Sequence, residues 1–406
     1  MNNFKKIISI IDSKDINFLV FVFILMIIGM LFETIGVAIV FPILELVMSP
    51  DNIANESNLF FFVYQNFNIK GVSSNNIVVI LLIFFFTIKM LFLSFLAWQK
   101  IKLNTSIIKK IPILLYKKYF NQSYNFFLDT NSSSHTRNIY TEVGIFANAV
   151  VSNLLEIITE TIILLGILVL MIYVQPIATI VIISTYILFL LIYRYLSKEY
   201  VTRWGDERQI AEGFKLKNLN QGFGAMKEIK ILGRQNYFID RFQLHNTKVA
   251  NTFFKISFLM SLPRLWLEWI SILLICTALL FIYKSNLSAA EILPTLGLFI
   301  AAAFKIIPSI SRIITGLQGL NFGIASVSTL YDVLNLKNEE TSQHSKKKIN
   351  FKKSLLLENV SFKYPNALKS SLININIEIK QGEVLGIVGE SGSGKSSLIS
   401  IILNMI

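Results

Sequence analysis

The chain has 406 residues, of which 53% are hydrophobic and 16% charged, and its mean hydropathy is positive. A soluble α/β protein of this length is excluded, because its surface would demand more charge; the composition is that of a membrane protein. The formal net charge of +13 raises nucleic acid as a partner, but the positions of the charges assign the excess to membrane topology, and no nucleic acid is expected.

No cleavable leader stands out at the N-terminus, since the first apolar run is long and lacks a small-residue cleavage site; it is expected to remain as an anchor. A membrane-crossing helix needs about 20 mostly apolar residues. Six such stretches follow in order, at 18–41, 77–98, 150–174, 177–193, 256–283 and 292–315. The even number puts both chain ends on one side. Only Gln175-Pro176 separates the third from the fourth, which predicts a tight hairpin. Between the second and third lie Lys100, Lys102, Lys109, Lys110, Lys117, Lys118 and Arg137, and about a dozen more basic residues run from Arg194 to Lys255. The opposite loops carry Lys70 and Lys284. Basic loops stay inside, so the expectation is a multi-pass protein of the cytoplasmic (inner) membrane with both termini cytoplasmic. The two basic loops, about fifty to sixty residues each, lack Pro/Gly clusters apart from Gly222 and Gly224 and predict helical extensions beyond the bilayer. In the outer loop at 46–76, the aromatic run from Leu59 to Tyr64 predicts a short interfacial helix, which either engages a lipid substrate or merely floats at the interface. The single cysteine, Cys276, lies in an apolar stretch; it allows no intrachain disulfide and reads as a small packing residue.

Beyond the sixth span the character of the chain changes. Residues 335–353 are polar and charged, with Lys346, Lys347 and Lys348 in a row, and read as a solvated interdomain linker. The stretches 355–364 and 372–379 then alternate as half-buried strands do. A membrane domain at 1–334, a linker at 335–353 and a second, β-rich unit at 354–406 are the expected division.

That second unit contains Gly389-Glu-Ser-Gly-Ser-Gly-Lys-Ser-Ser397. It fits the phosphate-loop pattern G-x-x-x-x-G-K-[ST] through Gly389, Gly394, Lys395 and Ser396, with Glu390, Ser391, Gly392 and Ser393 inside the loop and Ser397 just after it. Glycines let successive backbone N–H groups point at phosphate oxygens, Lys395 reaches the β- and γ-phosphates, and the Ser396 hydroxyl ligates Mg²⁺. The apolar run at 383–388 suits a buried strand, and 397–405 an apolar-rich helix, giving the strand, loop and helix order that the motif needs. ATP with Mg²⁺ is the expected cofactor.

Six spans, long cytoplasmic loops, a polar linker and a domain that opens with Val360-Ser-Phe-Lys-Tyr364 and reaches this loop together resemble an ABC half-transporter of the exporter type. The fold class so implied is a multi-pass α-helical membrane protein, followed by an incomplete α/β P-loop nucleotide-binding domain. The resemblance implies that Tyr364 stacks on adenine and that segments near 129–137 and 220–232 act as coupling helices. It also implies a homodimer through both the membrane and the nucleotide-binding domains. In that family the nucleotide-binding domain continues well past its phosphate loop. Here the glutamine loop, signature, acidic Mg²⁺-holding strand and switch histidine are absent, the histidines being His135, His245 and His344. The chain is therefore expected to be cut short, to hydrolyse no ATP by itself, and to be poorly folded from Leu355 onward, with Leu398, Ile399, Ile401, Ile402 and Leu403 exposed.

A narrower resemblance lies in the spans. Phe32-Glu33-Thr34 followed by Phe41-Pro42, the stretch from Leu262 to Glu268 and that from Phe304 to Thr315 are similar to the subgroup that flips polyprenyl-pyrophosphate-linked oligosaccharides. Where that subgroup carries cavity arginines, this chain has Arg264 and Arg312 but lysines at Lys89 and Lys305, which keep the charge and lose the bidentate fork. The charges support the same direction independently, because a cation within a span marks a partner or a pathway. Lys305 and Arg312 are seven residues apart, two helical turns, and share a face suited to an anion such as pyrophosphate. The structural alternatives are that Arg264 and Glu268 neutralise each other at i,i+4, that Lys89 snorkels, and that Glu33, Glu156 and Glu160 pair with cations or face water. Three functions remain open on these residues: an ATP-driven flippase of an anionic, lipid-linked substrate; an exporter of peptides or hydrophobic compounds; and a non-hydrolytic, truncated membrane module.

Overall fold

The computed structural model describes residues 3–39, 74–284, 289–337, 353–364, 367 and 369–403. The Phe41-Pro42 step, the aromatic run from Leu59 to Tyr64, Lys70, His344 and the linker at 338–352 lie outside the described residues. A short helix α1 (Asn3–Ile10) leads into α2 (Ser13–Ala38), α3 (Ser74–Phe120), the short α4 (Tyr124–Asp129) and α5 (Ser132–Arg137), α6 (Asn153–Val174), α7 (Pro176–Gly224), the short α8 (Met226–Ile231), α9 (Gln235–Lys284) and α10 (Ala289–Leu334). Six of these helical stretches are long and apolar enough to cross a membrane, so this is a multi-pass membrane protein.

Four helices run well past any bilayer. α3, α7, α9 and α10 have 47, 49, 50 and 46 residues, about 70 Å each at 1.5 Å per residue, against a hydrocarbon layer of roughly 30 Å. The basic loops of the sequence are thus largely helix, as their lack of Pro/Gly clusters suggests, with Pro112 carried inside α3. The turn between α6 and α7 is made by Gln175, with Pro176 at the first helical position, where its missing N–H costs nothing. Thr179, fully buried, closes it by donating to the carbonyls of Met171 at 3.0 Å and Gln175 at 2.7 Å.

The core sits along the helix seams. α2, α3 and the start of α6 pack with α10 around Val22, Met26, Leu103, Phe146 and Leu330. A second seam joins α6, α7, α9 and α10 around Ile163, Ile167, Tyr186, Leu267 and Ile306. Between α5 and α6 the backbone widens into two π-helical segments, Asn138–Glu142 and Phe146–Ser152. Gly316, Gly319 and Gly323 of α10 face Ile157, Asn153 and Val150, and side chains larger than hydrogen there would hold the helices apart.

The first π segment carries Glu142, wholly buried against Arg208 of α7, which is also wholly buried. Arg208 donates Nη2 to Glu142 Oε2 at 3.0 Å and Nη1 to Oε1 at 3.3 Å. Ser326 of α10 hydrogen-bonds the same carboxylate. Three helical elements therefore meet at one fork-to-carboxylate contact, a geometry that arginine can make and lysine cannot.

The C-terminal unit is small. Strands β1 (Ser354–Phe362) and β2 (Leu372–Lys380) pair antiparallel, with Leu357 opposite Ile377, and helix α11 (Lys395–Ile402) packs on them through a cluster of Leu357, Leu372 and Leu398. Two expectations are corrected here. The run at 383–388 belongs to no strand, and Val384 and Val388 are each 96% exposed, because no neighbouring strand among the described residues bonds to it. Leu398 is buried rather than exposed: α11 turns Leu398, Ile401 and Ile402 onto the hairpin, while Ile399 and Leu403, one turn apart on the opposite face, stay exposed. Cys276 is likewise exposed rather than packed inside, beside Ile272 and Leu273 on an outward apolar face of α9.

At Gly205 of α7 an added Cβ would lie 2.5 Å from the Phe322 carbonyl oxygen of α10, a backbone atom that cannot move aside alone. Gly205→Ala is expected to destabilise the bundle by about 1–3 kcal/mol. Thermal unfolding of the purified chain in detergent should show the loss, and an unchanged midpoint would contradict this packing.

Candidate functional site

The phosphate loop is built by glycine geometry. Gly392 at φ 85° and Gly394 at φ 92° adopt left-handed conformations that other residues rarely tolerate. Gly394 also approaches the backbone closely, since a Cβ there would fall 2.5 Å from the Ser371 carbonyl at the start of β2. α11 begins directly at Lys395, so the loop feeds a helix N-terminus, where backbone N–H groups point outward without intrahelical partners. Lys395 folds back over the loop and donates Nζ to the carbonyls of Gly389 at 2.7 Å and Glu390 at 2.6 Å. Ser396 lies exposed in the first turn of α11. Tyr364, distant in sequence, is brought to this place: its hydroxyl is 3.2 Å from Ser397 Oγ, and its ring meets Phe362 edge-on at 4.8 Å. A glycine cradle, an ammonium and a helix N-terminus in one place fit the phosphates of a nucleotide.

Inside the bundle, the charges are drawn together in pairs across helices. Glu33 of α2 lies between Lys89 of α3, with Nζ 2.8 Å from Oε2, and Lys305 of α10, with Nζ 2.6 Å from Oε1. Lys89 therefore does not snorkel along lipid; it turns inward to a carboxylate. Lower on α10, Ser309 donates to Glu160 of α6 at 2.6 Å, and Arg312 pairs with the same Glu160. Arg312 Nε also stands 3.9 Å from Glu156 Oε1, while Lys100 of α3 reaches Glu156 Oε2 at 2.9 Å. Arg264 stands apart from all of these. Its side chain is 73% exposed and is paired at 2.8 Å with Glu268 on its own helix. The four cations singled out from the sequence thus divide into Lys89 with Lys305, then Arg312, then Arg264. Lys100 reads from the sequence as a basic loop residue, because it lies beyond the apolar run, and its pairing with Glu156 is not visible there. The sequence equally hides the Glu142–Arg208 contact, whose partners are 66 residues apart.

The segments expected to act as coupling helices hold the short helices α5 and α8. Beside α4 and α5, a cavity of about 390 Å³ is lined by Tyr119, Phe126, His135, Asn138 and Asp332 among others. His135 is held there by rings, at 4.4 Å from Tyr119 and 5.5 Å from Phe126, and Asn138 donates to the Tyr119 hydroxyl at 2.9 Å.

A six-helix membrane bundle joined to a phosphate loop of this kind defines a membrane transporter with a nucleotide-binding unit. Comparison with known proteins gives the family. Residues 3–304 match the ABC transporter transmembrane region and residues 372–406 match the ABC transporter domain, so the chain belongs to the ABC transporter family. It is 26% identical over 264 residues to an ATP-dependent lipid A-core flippase of Nitrosococcus oceani, covering 63% of this chain and 42% of that one. Against the lipid A-core flippase of Wigglesworthia glossinidia brevipalpis it is 24% identical over 324 residues, 76% of this chain and 52% of the other. It is 27% identical over 188 residues to the subtilin transport ATP-binding protein SpaT of Bacillus subtilis, 45% of this chain and 30% of that one. The chain therefore spans about half or less of the length of these relatives. In fold it is similar to a bacterial Atm1-family ABC exporter solved with ATP bound, at a TM-score of 0.67 and 14% identity, over 97% of this chain and 66% of that one.

Replacing Lys395 by alanine removes the ammonium from the loop while leaving its glycines intact. Binding of a fluorescent ATP analogue to the purified chain is expected to weaken by about tenfold or more, the equivalent of roughly 1.4 kcal/mol. Equal binding by wild type and Lys395→Ala would show that the loop does not hold nucleotide.

Proposed function

We propose that this chain supplies the membrane domain and nucleotide loop of an ATP-driven exporter or flippase in the cytoplasmic membrane. Its cargo is a polyprenyl-pyrophosphate-linked oligosaccharide or a similar anionic lipid. The protein works as a homodimer, with both termini cytoplasmic, with Tyr364 against adenine, and with residues 389–397 on the phosphates of ATP and Ser396 on Mg²⁺. α5 and α8 are the surfaces that transmit nucleotide-driven motion to the spans, and residues 335–353 link the two domains.

The observation that carries this reading is that Lys89, Lys305 and Arg312 are turned into the bundle, each toward a carboxylate of another helix. An unpaired anion carried through a low-dielectric layer costs several kcal/mol or more. Inward cations lower that cost for an anionic headgroup, and a purely apolar cargo would gain nothing from them. The lipid A-core flippases among the relatives support an amphiphilic lipid cargo. Arg264, exposed and paired on its own helix, is the weakest member of the cavity set. A second reading, export of a peptide, draws on the subtilin transporter among the relatives.

The test continues the chain to the length of its relatives, reconstitutes it in proteoliposomes, and measures transfer of a fluorescent polyprenyl-pyrophosphate glycan beside basal ATPase. Lys305→Gln is the clean variant, because Glu33 keeps Lys89 as a partner. Flipping is expected to fall by about tenfold, corresponding to roughly 1.4 kcal/mol of barrier, with ATPase retained. Lys305→Gln combined with Arg312→Gln should be worse than either alone. Unchanged flipping of the glycan by these variants, with a peptide still exported, would favour the second reading.

A further inference from the structure

The carboxylates Glu33, Glu156 and Glu160 are not equivalent. Lys100 and Arg312 stand against Glu156 and Glu160, two cations with two anions, so that cluster is neutral. Among the described residues Lys89 and Lys305 share Glu33 alone, which leaves one positive charge in excess there. The supporting contacts differ in the same way. Glu160 is fixed by the Ser309 hydroxyl as well as by Arg312, and Glu142 by Ser326 as well as by Arg208. Glu33 has no hydroxyl or backbone donor among the described residues; each of its oxygens takes one ammonium. That arrangement mimics two lysines gripping two oxygens of a phosphate.

The cluster is also reachable. The side chains of Lys89 and Lys305 are 15% and 24% exposed, whereas the Glu142–Arg208 contact is completely sealed. Gly36, almost one helical turn beyond Glu33, lets the Lys89 ammonium lie against α2, at 2.8 Å from where a Cβ would stand. Both lysines end long flexible stems that can swing their charge through several ångströms, while Glu33 is 8% exposed and hemmed in.

We infer that Glu33 is a built-in competitor of the substrate, a counter-ion that holds Lys89 and Lys305 and releases them only to an anion of higher charge than its own. This rests on the proposal that the bundle receives an anionic lipid headgroup, and adds how the site selects among such lipids. Releasing the lysines strands the Glu33 carboxylate at low dielectric, which costs several kcal/mol. Because Coulomb energy scales with the charge of the incoming group, a pyrophosphate ester offsets that loss far better than a singly charged phosphodiester. The ordinary anionic lipids of the membrane are thereby kept out of a cationic site that they would otherwise fill.

The test measures binding of two probes to the full chain in a neutral detergent, in a Lys395→Ala background that silences the phosphate loop. The probes are farnesyl pyrophosphate and the singly charged palmitoyl lysophosphatidylglycerol, with farnesol as the uncharged control. Glu33→Gln is expected to tighten the singly charged probe, which the Glu33-intact protein binds no better than farnesol, by about tenfold and the pyrophosphate by at least as much, so that the singly charged lipid becomes a ligand; tenfold corresponds to roughly 1.4 kcal/mol. Glu33→Asp, with its carboxylate drawn back by one methylene, should tighten both probes by a smaller factor, which keeps the test open if the amide variant folds poorly. Unchanged affinity for the singly charged probe in either folded variant, or binding of that probe to the Glu33-intact protein as tight as that of farnesyl pyrophosphate, overturns the inference. Failure of the Glu33-intact protein to bind farnesyl pyrophosphate better than farnesol would instead overturn the anionic-substrate proposal beneath it.

Discussion

A charge inside a membrane-spanning bundle must find its opposite on a neighbouring helix, and the arrangement of this protein follows that requirement. Between lipid-facing helices there is little hydrophobic force to choose one packing over another, because lipid tails are as apolar as leucine. Ion pairs are directional and tied to one depth along the helix. Here α10 serves as the hub: Lys305 reaches α2, Ser309 and Arg312 reach α6, and Ser326 joins the contact between the π segment and α7. Three polar levels along one helix fix its rotation and its register against three others, and the glycines at 316, 319 and 323 let it come close enough to make them.

The three levels differ in exposure and in charge. The neutral cluster at Glu156 and Glu160 is the most exposed, through Arg312 and Glu156; Glu33 with its two partly buried lysines carries a surplus positive charge; the Arg208–Glu142 fork has no exposed surface. A sealed, bidentate pair suits a fixed point, because breaking it strands two charges at a cost of several kcal/mol. A cluster with excess charge suits exchange with something from outside. The same helix thus combines a sealed contact with α7 and a lysine and carboxylate contact on its α2 side.

How much of this is legible in the sequence depends on how local each signal is. The six spans and the α6–α7 hairpin can be read directly, because apolar length and Gln175-Pro176 act within one segment. The helical extensions are legible from the lack of Pro/Gly clusters, and Lys395 and its glycines from fixed spacing. The partners of the charges are less so: Arg264 and Glu268 sit at i,i+4, and Arg312 can be set against Glu156 or Glu160 as charges within spans, whereas Lys305 and Glu33 are 272 residues apart. Lys89 reads as a snorkelling side chain until Glu33 is placed beside it. The run at 383–388 reads as a strand from its apolar character alone, but a strand exists only where a neighbour bonds to it, and none does among the described residues. Leu398 likewise depends on which face of α11 the hairpin covers.

The most direct test of charge pairing as the organising constraint is a charge exchange between α6 and α10. Glu160→Arg and Arg312→Glu, each made alone, place two like charges side by side at low dielectric; made together, they restore an opposite pair. Folded yield and thermal midpoint of the purified chain in detergent measure the outcome. The account predicts that each single reversal loses most of the folded protein, as expected for a penalty of roughly 3–5 kcal/mol, and that the double exchange recovers a substantial part of it. Single reversals that fold as well as the wild type, or a double exchange no better than the singles, would contradict it.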